Sequence, residues 1–369
     1  MKIVIINGFD VNEHRVDALL KFFRKGNNDI KVLSTNFLHR EKIRRLESKD
    51  GYRFVNTTPY KKNLSVGRIY SHWKLAKNIF SLIDSNVDLL WIILPPNSFV
   101  RQAAMYKKKF PNTKIVLDIM DMWPETLPVG KIKELFPFTL WKKIRNNYLH
   151  LMDFVVTECE LYQTVLNKYI ISSKMERLYL SYGDIEKLPK IKKLPINTIS
   201  LCYLGSINNI IDIKCIDQIL KSISIHKQVY LHIIGGGENK DLLLKVARKS
   251  NVKVIDHGMV YDEKVKRDVL TSCHYGLNIM KDSVFVGLTM KSLDYFKYGL
   301  PIINNIKGDT WSFVETKGIG INTISGQVNI DSNEYDYSIR HKTINFYNEY
   351  FSEVAFESQL DSILNNVFN

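Results

Sequence analysis

Lys291 and Asp294 lie three residues apart in the stretch Gly287-Leu288-Thr289-Met290-Lys291-Ser292-Leu293-Asp294. That spacing puts both on one face of a helix. A glycine turn precedes them, and Gly299-Leu300-Pro301 closes the segment ahead of the apolar pair Ile302-Ile303. A cation near a helix start can meet a phosphate, and a carboxylate one turn on can accept hydrogen bonds from ribose hydroxyls. The same spacing also describes an ordinary surface ion pair. Thr289, just ahead of Met290, stands where the helix begins.

Three earlier glycine turns follow apolar runs. Gly205 ends the run Ser200-Leu201-Cys202-Tyr203-Leu204 and is followed by Ser206. A glycine there lets a phosphate approach the backbone, and the next helix N-terminus favours anions; a plain strand–helix turn has the same composition. Gly235 and Gly236 end the run Leu231-His232-Ile233-Ile234. They lack the Gly-x-Gly-x-x-Gly spacing of a dinucleotide fold, which argues against NAD. His257, Gly258 and Val260 follow Val254-Ile255-Asp256, where exposed backbone could seat a nucleobase or the histidine could be structural. In the N-terminal half, Asp118-Ile119-Met120-Asp121-Met122-Trp123-Pro124-Glu125 follows a further apolar run. Asp121 is read as a carboxylate that orients hydroxyls of a ligand, and Asp118 as a cap or turn residue. The four cysteines, Cys159, Cys202, Cys215 and Cys273, have no Cys-x-x-Cys spacing and read as buried free thiols. No metal is expected.

The elements that must position these residues alternate. Short apolar runs at 2–6, 30–33, 88–94, 114–118 and 153–156 read as strands, with helices at 12–25, 71–84 and 97–109 among the segments between. The pattern restarts with strands at 200–204, 229–234, 252–255, 275–279 and 301–303 and helices at 212–224, 238–249, 262–272 and 290–298. Runs apolar on both faces indicate parallel sheets covered on both sides. The sequence therefore predicts an α/β protein of two doubly wound, Rossmann-like domains facing a central cleft, with ligands at the C-terminal ends of the strands. The domains are expected at 1–183 and 199–342, joined by a Lys/Pro-rich linker at 184–198. A last helix in 343–369 is expected to return to the first domain, with Ile344, Phe346, Tyr347, Phe351, Val354, Leu360 and Ile363 as its apolar stripe.

Of the 369 residues, 45% are hydrophobic, as in a globular protein, and the net charge is +14. Residues 1–190 hold 32 Lys/Arg against 19 Asp/Glu, so nearly all of the excess lies in that half. That half is expected to meet something anionic: a membrane surface, a phosphate-bearing acceptor or nucleic acid. Nucleic acid is the weakest of these, since no recognised module is present. The opening segment, which turns at Gly8, does not read as a signal peptide, and apolar runs such as Leu89–Leu94 are too short to span a bilayer. A cytoplasmic protein is expected, peripheral at the inner face of the membrane if the basic half finds one.

The order of Gly205, Gly235-Gly236-Gly237-Glu238, His257-Gly258-Met259-Val260 and the Lys291-to-Pro301 helix resembles glycosyltransferase family 4. The similarity is closest to its bacterial capsule and surface-polysaccharide transferases, whose Asp-x-x-Asp-x-Trp-Pro-Glu segment matches residues 118–125. It covers most of the chain and is strongest over 200–305. The resemblance implies the GT-B architecture and a nucleotide-sugar donor, UDP by expectation. It also implies a saccharide or lipid-linked saccharide acceptor, retention of anomeric configuration and no bound metal or other cofactor. Donor contacts are then implied at Gly205, Ser206, Gly235, Gly236, His257, Gly258, Val260, Asp282, Thr289, Lys291 and Asp294. Asp294 takes the place of the family's ribose-binding glutamate. Catalysis is assigned to Asp121 and Lys291, and the acceptor side to Gly8 and Trp123. The family's first glutamate, eight positions before the second, falls on Val286, with Asp282 as the nearby substitute. Ser206 stands where an arginine is common. A sugar-nucleotide 2-epimerase or a non-catalytic GT-B partner subunit is the alternative. Oligomeric state is not legible.

Overall fold

The computed structural model describes residues 1–127, 129–185, 191, 193–195, 197–330 and 335–369. The chain divides into two compact units, Met1–Ser181 with Phe356–Asn369, and Tyr182–Ala355. Within the segment expected as linker, residues 186–190, 192 and 196 lie outside the described residues.

The first unit runs β1 (Lys2–Asn7), α1 (Glu13–Arg24), β2 (Asp29–Thr35), β3 (Phe37–Leu38), β4 (Ile43–Arg44), β5 (Tyr52–Val55), α2 (Val66–Phe80), β6 (Leu89–Leu94), α3 (Ser98–Lys109), β7 (Lys114–Ile119), a 3-10 turn at Gly130–Glu134, α4 (Phe138–Asn146), β8 (Phe154–Thr157), α5 (Glu160–Leu166) and β9 (Met175–Arg177). Its sheet has the order β5-β2-β1-β6-β7-β8-β9. Every neighbouring pair is parallel. The order reverses between β1 and β6, which defines the switch point of this sheet. All six residues of β6 are buried, the reading expected of a strand covered on both faces. The edge strands β5 and β9, four and three residues long, are too short to stand out in sequence. Helix α2 starts earlier than periodicity suggests, because the Ser65 hydroxyl caps it by accepting from the Arg68 N–H at 3.2 Å.

One polar contact lies in the middle of this core. Arg15 of α1 and Asp118 of β7 are both fully buried, with Nε 3.2 Å from Oδ2. The Trp91 indole donates to the same oxygen at 3.0 Å. Arg15 also donates to the carbonyls of Leu178 and Tyr179 at 2.5 and 3.1 Å. Asp118 is therefore a paired interior strand residue and not a cap or turn residue, because its side chain points into the face that α1 covers.

The second unit runs β10 (Thr198–Leu204), α6 (Ile213–Ser224), β11 (Gln228–Ile234), α7 (Lys240–Lys249), β12 (Lys253–Gly258), α8 (Glu263–Thr271), β13 (Tyr275–Asn278), α9 (Met290–Lys297), β14 (Ile302–Asn304), α10 (Asp309–Lys317), β15 (Gly320–Asn322) and α11 (Ser338–Phe351). Its sheet is parallel throughout, in the order β12-β11-β10-β13-β14-β15. The switch point falls between β10 and β13. The alternating apolar positions of α6 and β11 close on one core that includes Leu201, Ile216, Ile219, Leu231 and Leu277.

The helix expected in 343–369 is two helices. Ser352 adopts an extended backbone, ψ 163°, and ends α11. A new helix, α12 (Glu353–Phe368), follows, and from Phe356 onward it belongs to the first unit. The expected stripe divides accordingly. Ile344, Phe346, Tyr347 and Phe351 are buried on α11, and Leu360 and Ile363 on α12, whereas Val354 at the junction is 73% exposed.

Candidate functional site

In the second unit the turns after β10, β11 and β12 are stitched together by main-chain hydrogen bonds. The Gly205 N–H donates to Ile234 O at 2.8 Å, Gly235 N–H to Gly258 O at 2.7 Å, and Ile207 N–H to Gly236 O at 2.8 Å. This packing is what demands glycine. A Cβ on Gly235 would lie 2.0 Å from Gly205 O, and one on Gly237 2.5 Å from Ile207 O. Both glycines also hold positive φ, 137° and 143°.

Above these turns lies a cavity of about 590 Å³, lined by Gly205, Ser206, Gly235, Gly236, Gly237 and Val260 together with Lys266, Lys291 and Asp294. It sits at the C-terminal ends of β10 and β11, beside the switch point, where ligands of doubly wound sheets bind. Helix α9 brings in Lys291 and Asp294. Its Tyr295 holds it to the sheet: the Leu204 N–H donates to the Tyr295 hydroxyl at 2.8 Å, and that hydroxyl donates to Cys202 O at 3.1 Å.

Lys291 is a buried cation. Its ammonium is sealed from solvent, has no hydrogen-bond partner among the described residues, and lies 4.8 Å from the centre of the Tyr203 ring. Burial pushes its pKa down to about 7. Asp294 is engaged instead by Lys266 of α8, with Nζ 2.8 Å from Oδ1. Lys266 also meets Glu263 at 2.6 Å. Burial opposes the charge on Lys266, but the hydrogen bonds and field of Asp294 and Glu263 outweigh it and raise its pKa.

Not every residue expected here lines the cavity. Thr289 is the buried N-cap of α9; its hydroxyl accepts from the Ser292 N–H and donates to Asn278 Oδ1 at 2.8 Å. Gly258 contributes its carbonyl to the turn stitching and does not line the wall. His257 stacks on His232, with ring nitrogens 3.0 Å apart, and burial pushes His232 down to about 4. Asp282 is exposed and does not line the cavity. Val286 is partly buried and apolar. Lys266 was not anticipated from sequence: it stands on a separate helix, and only the long-range pairing with Asp294 marks it.

In the first unit, Asp121 lies just past the end of β7. Its carboxylate accepts from the Trp123 indole N–H at 2.5 Å and from the Thr126 hydroxyl. Burial pushes its carboxyl above the usual range, against the pull of those donors and of Arg68. Trp123 is 7% exposed and packs with Phe9 and Trp141, so its ring is part of the unit's core and offers little open surface. Gly8 is buried as well, since a Cβ there would meet Pro96 Cδ at 2.2 Å. Among the described residues no group of three or more His, Cys, Asp or Glu gathers as metal ligands, and the four cysteines are free and buried.

No family model matches the chain, and no curated protein matches it in sequence. Solved structures do match. Anabaena HepE in complex with UDP superposes with a TM-score of 0.65 at 13% identity, covering 99% of this chain and 100% of that one. Sucrose-phosphate synthase of Thermosynechococcus elongatus gives 0.69 at 10% identity, covering 100% and 99%. The lipopolysaccharide outer core galactosyltransferase WaaB gives 0.65 at 14% identity, covering 99% of each chain. With two parallel α/β units matched over their full length to these structures, the chain has the GT-B glycosyltransferase fold.

Proposed function

We propose that the protein is a glycosyltransferase of the family 4 type that uses a UDP-sugar as donor. The observation that carries this reading is the cavity of the second unit. It combines backbone laid bare by Gly205, Gly235 and Gly236 with a sealed Lys291 that has no hydrogen-bond partner among the described residues and a carboxylate, Asp294, one helical turn away. An unpaired buried cation is costly unless an anion completes it. A diphosphate placed against the glycine turns would do so, and Asp294 would accept from the ribose hydroxyls. The HepE structures with UDP and with UDP-glucose support the same donor class.

Transfer leaves charge on the departing diphosphate, and Lys291 stabilises it. Asp121 of the first unit, held by Trp123 and Thr126, orients hydroxyls of a sugar bound to that unit. The acceptor is a saccharide or lipid-linked saccharide of bacterial surface-polysaccharide synthesis. The protein meets it in the cytoplasm at the anionic inner face of the membrane, and the donor's configuration is retained. Isothermal titration with UDP-glucose tests the donor site. Binding that Lys291→Met weakens supports the reading, and absence of binding by UDP, UDP-glucose and UDP-galactose alike defeats it.

Val286, apolar at the position of the family's first glutamate, favours a second reading, a non-catalytic GT-B subunit. Slow hydrolysis of UDP-glucose by the protein alone would rule it out.

A further inference from the structure

Over its first two turns α2 is amphipathic in the sense opposite to that of a surface helix. Arg68, Ser71 and His72 face the interior, whereas Val66, Ile69, Tyr70 and Trp73 face outward at 82, 38, 50 and 39% exposure. The inward polar side is anchored. Arg68 Nη1 donates to Asn63 O at 2.8 Å, and its guanidinium lies 4.0 Å from the centre of the Trp123 ring. The Ser71 hydroxyl donates to Thr58 O at 2.6 Å. The helix cannot turn its apolar side inward without unseating these contacts.

The outward face is also positively charged. From Gly51 to Ile83 the chain has no Asp or Glu and six Lys/Arg, of which Arg53, Lys61, Lys62, Lys74 and Lys77 are exposed. The Lys77 ammonium lies 4.0 Å from the centre of the Trp73 ring. A second apolar element approaches the same point of the unit. The Ser98 hydroxyl donates to His72 O at 3.0 Å and the Asn97 amide to Trp141 O at 3.2 Å, so α2 and α4 both meet the start of α3. Leading into α4, Leu135 and Phe136 are 62 and 78% exposed.

We infer that this face of α2 docks the protein on an anionic lipid bilayer. Ile69, Tyr70 and Trp73 enter the headgroup layer, where amphipathic aromatic rings settle, and the lysines meet lipid phosphates. The apolar strip of α2, bordered by lysines and without an acid from Gly51 to Ile83, matches such a surface in charge and in polarity. The inference names the surface behind the membrane part of the proposed function, and it does not depend on the donor cavity.

Vesicle co-sedimentation tests it, using phosphatidylcholine alone and phosphatidylcholine mixed with phosphatidylglycerol. The native protein should pellet only with the anionic mixture and be released as salt rises. The exposed triple variant Ile69→Ser/Tyr70→Ser/Trp73→Ser should lose about tenfold or more of that partitioning, with UDP-glucose binding unchanged. Brominated lipid should quench the native emission, and Trp73→Phe should remove that quenching. Native protein that pellets with neither vesicle overturns the membrane reading altogether. Triple variant that pellets like native protein leaves membrane binding in place and overturns the role of α2. A native dimer that the triple variant dissolves, with pelleting unaffected, makes the face a protein interface and also overturns the inference.

Discussion

Lys291 places its ammonium 4.8 Å from the centre of the Tyr203 ring, with no hydrogen-bond partner among the described residues. Its pKa in the fold is about 7 against 10.5 for the free side chain. The unfolded chain therefore binds more protons between those values, and the stability lost at Lys291 is complete below pH 7 and recovered as pH rises toward 10.5. Lys291→Met should raise the thermal midpoint most at neutral pH and below, with the gain shrinking on the alkaline side. The same substitution should weaken UDP-glucose binding by about 10- to 100-fold, the range of a hydrogen bond to a charged group. Melting curves across pH, alongside titration calorimetry, check both halves.

A diphosphate seated at Lys291 favours its charged form. UDP-glucose has no group of its own that titrates near neutrality, so binding above pH 7 should draw a proton from the buffer. Calorimetry in buffers of different ionisation enthalpy measures this directly. Uptake should vanish in Lys291→Arg, whose charge is permanent.

Lys266 and Asp294 form one unit, 2.8 Å apart with both side chains 13% exposed. Lys266→Met and Asp294→Asn should each weaken UDP-glucose binding by about tenfold. The double variant should fall short of the sum of the two effects, since each single change already breaks the pair. A double-mutant cycle on the dissociation constant reads this out.

Asp121 is held by Trp123 and Thr126 near the strand ends of the first unit. Asp121→Asn retains a carbonyl oxygen for the Trp123 N–H, turns its NH2 toward the Thr126 hydroxyl, which can accept, and loses the charge. Turnover should fall by about 10- to 100-fold, with the circular dichroism melt close to that of the native protein. A steady-state assay with a sugar acceptor is the measurement.

Arg15 and Asp118 are a fully buried pair. Asp118→Ala leaves the guanidinium uncompensated and should destabilise the first unit by about 3–5 kcal/mol. Denaturant unfolding followed by the fluorescence of Trp91, which donates to Asp118, would report it.

Much of the architecture is legible in sequence because strand burial is a local property. Runs such as Leu89–Leu94 and Lys2–Asn7 are apolar on both faces, and only a covered parallel strand accommodates them. Glycines 205, 235 and 236 were legible for the same reason, since each ends such a run. Lys291 and Asp294 were legible because the helical repeat puts them on one face.

Tertiary structure alone decided the partners. Local spacing does not say that Lys266, on another helix, would claim Asp294, or that His257 would stack on His232 and leave the cavity wall. Nor does it say that Asp118 would turn inward to Arg15. The sense of α2 was hidden for a further reason. Its apolar and polar positions are both periodic, and periodicity marks two faces without saying which is buried. The seat of the Arg68 guanidinium over the Trp123 ring settles that choice, and only the folded unit brings those two residues together.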